Sequence, residues 1–209
     1  MKLYDFSLAP NPRRVRIYLV EKNIHVPTVQ INLREQEQLK PEYLAVNPFA
    51  TVPVLELDDG RRIAETIAIC RYFEAVHPEP RLFGTDSYEI GAVEEWQRHC
   101  EFEAMGAIAD AFRNSTPGMK GRAVTGRHAY EQIPELAERG KARAARFFEL
   151  LDARLAKQEF VASPRYSVAD ITALVAHDFG TRTKVLGIDN LPHVKRWHEV
   201  VSARPSAKA

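Results

Sequence analysis

The sequence predicts two successive folding units, an α/β unit over residues 1–77 and an all-helical unit over 87–209, joined by a linker at 78–86. Three observations predict this. Strand-like and helix-period runs alternate as far as His77, and no run beyond it reads convincingly as a strand. Pro78, Pro80, Gly84 and Asp86 crowd the stretch between, where turn-forming residues break both periodicities. At 209 residues, with 45% hydrophobic and 27% charged residues, the chain has the size and composition to bury a core in each unit.

Lys2 to Phe6 reads as a strand, Pro12 to Lys22 as a helix with Asn11 as its cap, and Pro27 to Asn32 as a second strand. Pro41 to Val46 is a short helix. Val54, Leu55 and Leu57 begin a hairpin that turns at Asp58-Asp59-Gly60 and returns through Arg61 to Ala64. Ile67, Ile69, Cys70, Phe73 and Val76 recur at helical spacing. This βαβ-then-ββα order is the thioredoxin-like arrangement, a mixed sheet between helices, with right-handed crossover making the first two strands parallel.

In the second unit, Ile90, Val93, Trp96, Cys100, Met105, Ile108 and Phe112 predict one long helix, and Ala144, Phe147, Phe148, Leu151 and Leu155 another. A last helix runs around His193 to Ser202, with no long tail expected after it. Ser167-Val-Ala-Asp170 before an apolar run matches a capping box, with Tyr166 and Ile171 placed as a hydrophobic staple. Asn114 to Pro134, carrying Lys120, Arg122, Arg127 and His128, reads as a solvated loop; the alternative is a basic cover over an acidic ligand.

A net charge of +1 gives no reason to expect nucleic acid or an anionic membrane as partner. Cys70 and Cys100 lie far apart and outside any CxxC pattern, which excludes a disulfide framework and a cysteine-rich zinc site, so no metal is expected. The opening MKLYDFSLAP lacks the features of a signal peptide and no apolar run reaches membrane length, so a soluble, cytoplasmic protein is expected.

The stretch from Asn47 to Glu74 reads as a ligand site. Pro53 at the first strand position removes a donor and leaves the Val52 backbone at a bend, outside the sheet's pairing. Glu65 and Thr66 fall at a helix amino end, where free N–H groups attract a carboxylate, and Glu65 adds an acceptor for an ammonium. That pairing suits an amino-acid head group. The same residues also suit a plainer role, Thr66 as a cap and Glu65 as a complement to the dipole.

The order NPFATVPVL, an acidic-Gly turn, then Glu-Thr heading a helix AICRYFE resembles the glutathione-binding half of cytosolic glutathione S-transferases, nearest to bacterial and theta- or nu-like forms. The capping box at Ser167 extends the resemblance to the helical half. It implies a cis Val52-Pro53 bond, Val52 paired with the cysteinyl part of glutathione, and Glu65 and Thr66 on its γ-glutamyl head. Gln38, Lys40 and Thr51 lie where relatives contact the glycine end, Lys40 being the best suited by charge. The resemblance also implies a homodimer acting in detoxification, glutathione as cosubstrate, and an apolar electrophile site lined by Phe6, Leu8, Met105, Ile108 and Phe112. Apolar residues at such spacing equally suit a core.

The reaction implied needs the thiolate of glutathione, because a free thiol with pKa about 8.5 is mostly protonated at neutral pH. Where theta-like relatives carry a serine this chain has Ala9, which cannot donate. Asn11 falls where some bacterial classes place a functional asparagine, and it is the leading candidate, with Ser7 and Tyr4 behind it. Arg13, Arg14 and the helix dipole add positive potential. With no cysteine between residues 7 and 15, a mechanism through a protein thiol is disfavoured. A glutathione-dependent disulfide reductase or peroxidase, and a non-catalytic binding module, remain as alternatives.

Overall fold

The computed structural model describes residues 1–187 and 190–209. The chain forms two compact units, residues 1–80 with 125–128 and 209, and residues 81–124 with 129–208.

The first unit runs β1 (Lys2–Asp5), α1 (Pro10–Glu21), β2 (Thr28–Gln30), α2 (Pro41–Leu44), β3 (Val54–Glu56), β4 (Arg62–Ile63) and α3 (Thr66–Val76). The strands lie in the order β2-β1-β3-β4. β1 is parallel to β2, with Tyr4 opposite Val29, and antiparallel to β3, with Tyr4 opposite Val54; β3 and β4 form the hairpin, Leu55 opposite Ile63. Cross-strand partners share a face. Tyr4 and Val54 pack with Ile31, Tyr43 and Val52 on one face. Leu3 and Leu55, opposite one another, are wholly buried on the other, as are Ile17 and Ile69 of the helices α1 and α3 that pack together. In the hairpin turn Gly60 adopts φ 83°, a conformation that favours glycine, and its N–H donates to the Leu57 carbonyl at 3.0 Å.

α1 is tied to α3 by a buried polar cluster. The Lys22 side chain, fully buried, forms an ion pair with Glu74 and donates to the carbonyls of His77 at 2.9 Å and Pro78 at 3.0 Å. The ammonium thus meets carbonyls just beyond the carboxyl end of α3, where cations are favoured. Tyr18 donates to Glu74 as well, and burial pushes its phenol pKa up.

The second unit runs α4 (Ser87–His99), α5 (Ala107–Ser115), α6 (Pro134–Leu155), α7 (Val168–Arg182) and α8 (Pro192–Ser202). The single long helix predicted from Ile90 to Phe112 is interrupted by a wide π-type turn at Cys100–Gly106 between α4 and α5. Such a turn inserts residues without breaking the helical path, so apolar spacing does not reveal it. α5 and α6 approach closely at Gly140, where an added Cβ would lie 2.5 Å from the Ala107 carbonyl oxygen. The loop after α5 is tied down: Asn114 Oδ1 accepts from the Ile133 N–H at 2.9 Å, and Gln132 donates to the carbonyls of Arg113 and Thr116. No described helix is long and apolar enough to cross a membrane.

The predicted capping box at Ser167 forms and extends further than its sequence pattern implies. Asp170, wholly buried, accepts at Oδ2 from the Ser167 N–H and hydroxyl, both 3.0 Å, and at Oδ1 from the Val161 N–H and Trp197 Nε1–H, both 2.9 Å. One carboxylate thereby joins α7, the preceding loop and α8. Burial nevertheless raises its pKa from 3.8 to about 6, outweighing the hydrogen bonds.

Asp170→Ala would leave the Val161, Ser167 and Trp197 donors buried and unmet, and is expected to lower the free energy of unfolding in urea by about 3 kcal/mol or more. Because the folded state holds this proton more tightly than the unfolded state, the carboxyl's contribution falls as pH rises from about 4 to about 6. The stability of wild type relative to Asp170→Asn should therefore decline across that window. A difference that is flat with pH would contradict this reading.

Candidate active site

The antiparallel pairing of β1 with β3 carries Pro53 and Val52 toward the carboxyl end of β1, from which α1 departs. α1 begins earlier than predicted. Its flanking residue is Ala9, extended at φ −84° and ψ 140°, and Asn11 lies inside the first turn rather than capping it. The expected Asn11 cap is therefore replaced by a backbone start at Pro10, for which proline's fixed φ is well suited. Pro10 and Pro12 bring no N–H groups, and the Ala9 N–H is used on the Phe6 carbonyl at 2.9 Å. The donors left at this end are those of Asn11.

The orientation of the Asn11 amide is fixed by its neighbour. Arg14, 3% exposed, donates from its guanidinium to Asn11 Oδ1 at 3.2 Å. A guanidinium only donates, so the amide oxygen must face it and the NH₂ group faces away. Among the described residues the structure gives that NH₂ group no acceptor.

α3 starts beside this point: the buried Thr66 hydroxyl donates to the Asn11 carbonyl at 3.5 Å. Neither Glu65 nor Thr66 caps the helix with its side chain, which removes the plainer capping role. The first backbone hydrogen bond of α3 runs from the Ile69 N–H to the Glu65 carbonyl at 3.0 Å, leaving the preceding N–H groups available at a positive dipole end. The Glu65 side chain is exposed.

The Val52–Pro53 bond is cis, as the resemblance implies, and the Ala64–Glu65 and Glu79–Pro80 bonds are cis as well. Val52 is buried, lies outside the strand ladder, and forms no backbone hydrogen bond among the described residues. The residues before it are held by Asn47 and Tyr43, neither of which sequence reasoning singled out. Asn47 donates through Nδ2 to the Thr51 carbonyl at 2.9 Å and hydroxyl at 3.0 Å, and accepts from the Phe49 N–H at 3.1 Å; Tyr43 donates to the Thr51 carbonyl at 2.6 Å. The turn they hold includes Ala50 at φ 55°, a conformation unusual for alanine. An asparagine beginning N-P-F-A-T-V-P was the available signal, because its short amide reaches its own turn.

The remaining candidates divide by burial. Ser7 is exposed, its N–H held by Gln30 at 3.0 Å and its carbonyl by Arg16 at 3.0 Å. Tyr4 donates to Glu56 at 3.2 Å, so its hydroxyl is already engaged. Lys40 is exposed and pairs with Glu37 at 3.4 Å, and the Gln38 amide oxygen is buried without a partner among the described residues. Phe6 packs against the Tyr4 and Val52 cluster, whereas Leu8 is 46% exposed. In the helical unit Met105 and Ile108 are buried, Ile108 closing on Gly180, and Phe112 is half-buried with its ring edge-to-face on Phe179 at 5.5 Å. Arg127 and His128, both exposed, belong to the loop segment that folds with the first unit.

A thioredoxin-like sheet with two helix amino ends converging beside a cis-proline, followed by a helical unit, defines a class that the comparisons specify. Residues 9–76 match the family described as Glutathione S-transferase, N-terminal domain, and residues 116–205 match Glutathione S-transferase, C-terminal domain. The chain is 36% identical over 210 residues to Glutathione S-transferase 2 of Saccharomyces cerevisiae, covering 100% of this chain and 88% of the relative. A solved glutathione S-transferase domain-containing protein from Marinobacter aquaeolei VT8 is 36% identical and superposes with a TM-score of 0.91 over 99% of each chain. The structure of Gtt2 from Saccharomyces cerevisiae gives 35% identity and a TM-score of 0.91, covering 100% of this chain and 99% of that one. The chain belongs to the glutathione S-transferase family.

Asn47→Ala removes three hydrogen bonds from the turn that leads to Pro53. Urea unfolding is expected to show a loss of about 2 kcal/mol, and Tyr43→Phe a loss of about 1 kcal/mol. Equal stability of Asn47→Ala and wild type would show that the turn stands without it.

Proposed function

We propose that this protein binds reduced glutathione at the joined amino ends of α1 and α3, holds its sulfur as thiolate with the Asn11 side-chain amide, and transfers it to a small hydrophobic electrophile. The observation that carries this reading is the Asn11 amide, turned by buried Arg14 so that a donor group without an acceptor is presented at a positive helix end. A hydrogen bond to a charged partner contributes about 1.5–3 kcal/mol, and one pKa unit is 1.36 kcal/mol, so this donor supplies a depression of about one to two units. From about 8.5, that brings the thiol pKa to about 6.5–7.5, so a large share of the bound sulfur is thiolate near neutral pH.

The rest of the first unit holds the tripeptide. The Val52 backbone, placed by Pro53, pairs with the cysteinyl peptide group; Glu65 accepts from the γ-glutamyl ammonium, and the backbone N–H of Thr66 with the other free N–H groups at the start of α3 receives its carboxylate. Lys40 and Thr51 hold the glycine end, and the buried Gln38 amide oxygen, without a partner among the described residues, accepts from the glycyl N–H. Ser7 is the secondary donor. The thiol proton leaves to solvent, the sulfur lone pair forms the bond to the electrophilic carbon, and the leaving group departs with its electron pair. This displacement requires no metal. In this unit Leu8 offers the electrophile exposed apolar surface, with Phe6 behind it. We further propose that the protein works as a homodimer in the cytoplasm, in detoxification.

Calorimetry with reduced glutathione is expected to show binding that Glu65→Ala weakens about tenfold or more, the loss of one charge-assisted contact. Asn11→Ala should bind glutathione within a few-fold of wild type but lose about tenfold or more in kcat with chlorodinitrobenzene. Absence of binding at millimolar glutathione would overturn the proposal. Faster reduction of a mixed glutathione disulfide than conjugation would instead identify a reductase.

A further inference from the structure

A second site lies in the helical unit, outside everything used above. His177 and Asp178 are adjacent near the end of α7, and His198 is on α8. The structure brings the three together. His198 Nε2 is 2.8 Å from Asp178 Oδ1, His177 Nδ1 is 3.4 Å from the same oxygen, and the two imidazole rings lie 4.1 Å apart at 31°. One ligand-type atom from each residue falls within 4.8 Å of the others.

We propose that His177 Nδ1, Asp178 Oδ1 and His198 Nε2 bind a divalent first-row transition metal ion that clamps α8 to α7. The donor set is two imidazole nitrogens and one carboxylate oxygen, which suits zinc and its neighbours rather than calcium or magnesium. A tetrahedral ion with bonds of about 2.0–2.1 Å separates its ligand atoms by about 3.3 Å. The 3.4 Å pair already meets that spacing, and the 2.8 Å pair needs to open by about half an ångström, within reach of side-chain rotation.

The surroundings favour ligation over a simple hydrogen-bonded tie. The two imidazole rings lie 4.1 Å apart at 31°, beside the Asp178 carboxylate, and a neutral imidazole has a ring-nitrogen lone pair to give. The His177 ring is held edge-on by Phe148 at 5.9 Å, which limits its rotation. The side chains of Asp178 and His198 are 29% and 28% exposed, so an ion can enter and keep a water as its fourth ligand.

Tag-free, chelator-treated full-length protein is to be titrated with Zn²⁺ by calorimetry and with Co²⁺ by visible absorption. One equivalent per chain is expected, with the Co²⁺ bands of a nitrogen and oxygen environment and a rise in Tm with saturating Zn²⁺. His198→Gln and Asp178→Asn, both at partly exposed positions and checked for folding by circular dichroism, should weaken the affinity about 10–100-fold. His25→Gln, in the first unit, serves as the control for adventitious histidine binding. No stoichiometric binding, or binding unchanged by the α7 and α8 variants, would overturn the proposal and leave the cluster as a hydrogen-bonded tie between helices.

Discussion

The contact on which the site depends is the hydroxyl of Thr66 against the carbonyl of Asn11. It fixes the amino ends of α1 and α3 at one point. Each end carries donors without partners among the described residues and a partial positive charge, and two such ends side by side suit the anionic ligand proposed here. The sheet makes the meeting possible: β1 sits between β2 and β3, so its carboxyl end, where α1 starts, is also the end at which the chain enters β3 through Pro53. At the far end, Lys22, Tyr18 and Glu74 lock the two helices a second time. A pair of helices pinned at both ends holds its donors in place before a ligand arrives, which lowers the cost of ordering them.

The helical unit is organised around a different kind of constraint, a single buried carboxylate. Asp170 serves four donors from three parts of the chain, and Trp197, wholly buried, is positioned by one of them. α8 therefore docks through Trp197 on Asp170 and, one residue further, through His198 on Asp178. These neighbouring attachments place polar chemistry along one helix interface, the first closed and structural, the second open enough to take an ion.

Much of this was legible in the sequence, where local chemistry decides the outcome. The alternation of strand and helix to His77, the turn at Gly60, and the capping box at Ser167 follow from residues close together in the chain. The start of α1 was misplaced because Pro10 and Pro12 both suit a first turn, and Asn11 between them mimics a cap; a backbone start at Ala9 leaves no side-chain signature. The π-type turn at Cys100–Gly106 was invisible because it preserves apolar spacing while shifting the faces. The wider roles of Asp170 and the cluster at His177, Asp178 and His198 depend on contacts 20 or more residues apart, which only folding brings together. At the proposed site, the pattern pointed to Val52, Glu65 and Thr66, but the orientation of the Asn11 amide required Arg14 to be seen buried against it.

In the proposed mechanism Asn11, rather than a hydroxyl, holds the sulfur as thiolate. Ultraviolet difference titration of bound glutathione measures this directly, because the thiolate absorbs and the thiol does not. Wild type is expected to show a bound pKa about one to two units below that of free glutathione, and Asn11→Ala a return of at least half of that shift. A bound thiol with the same pKa in both proteins would contradict it.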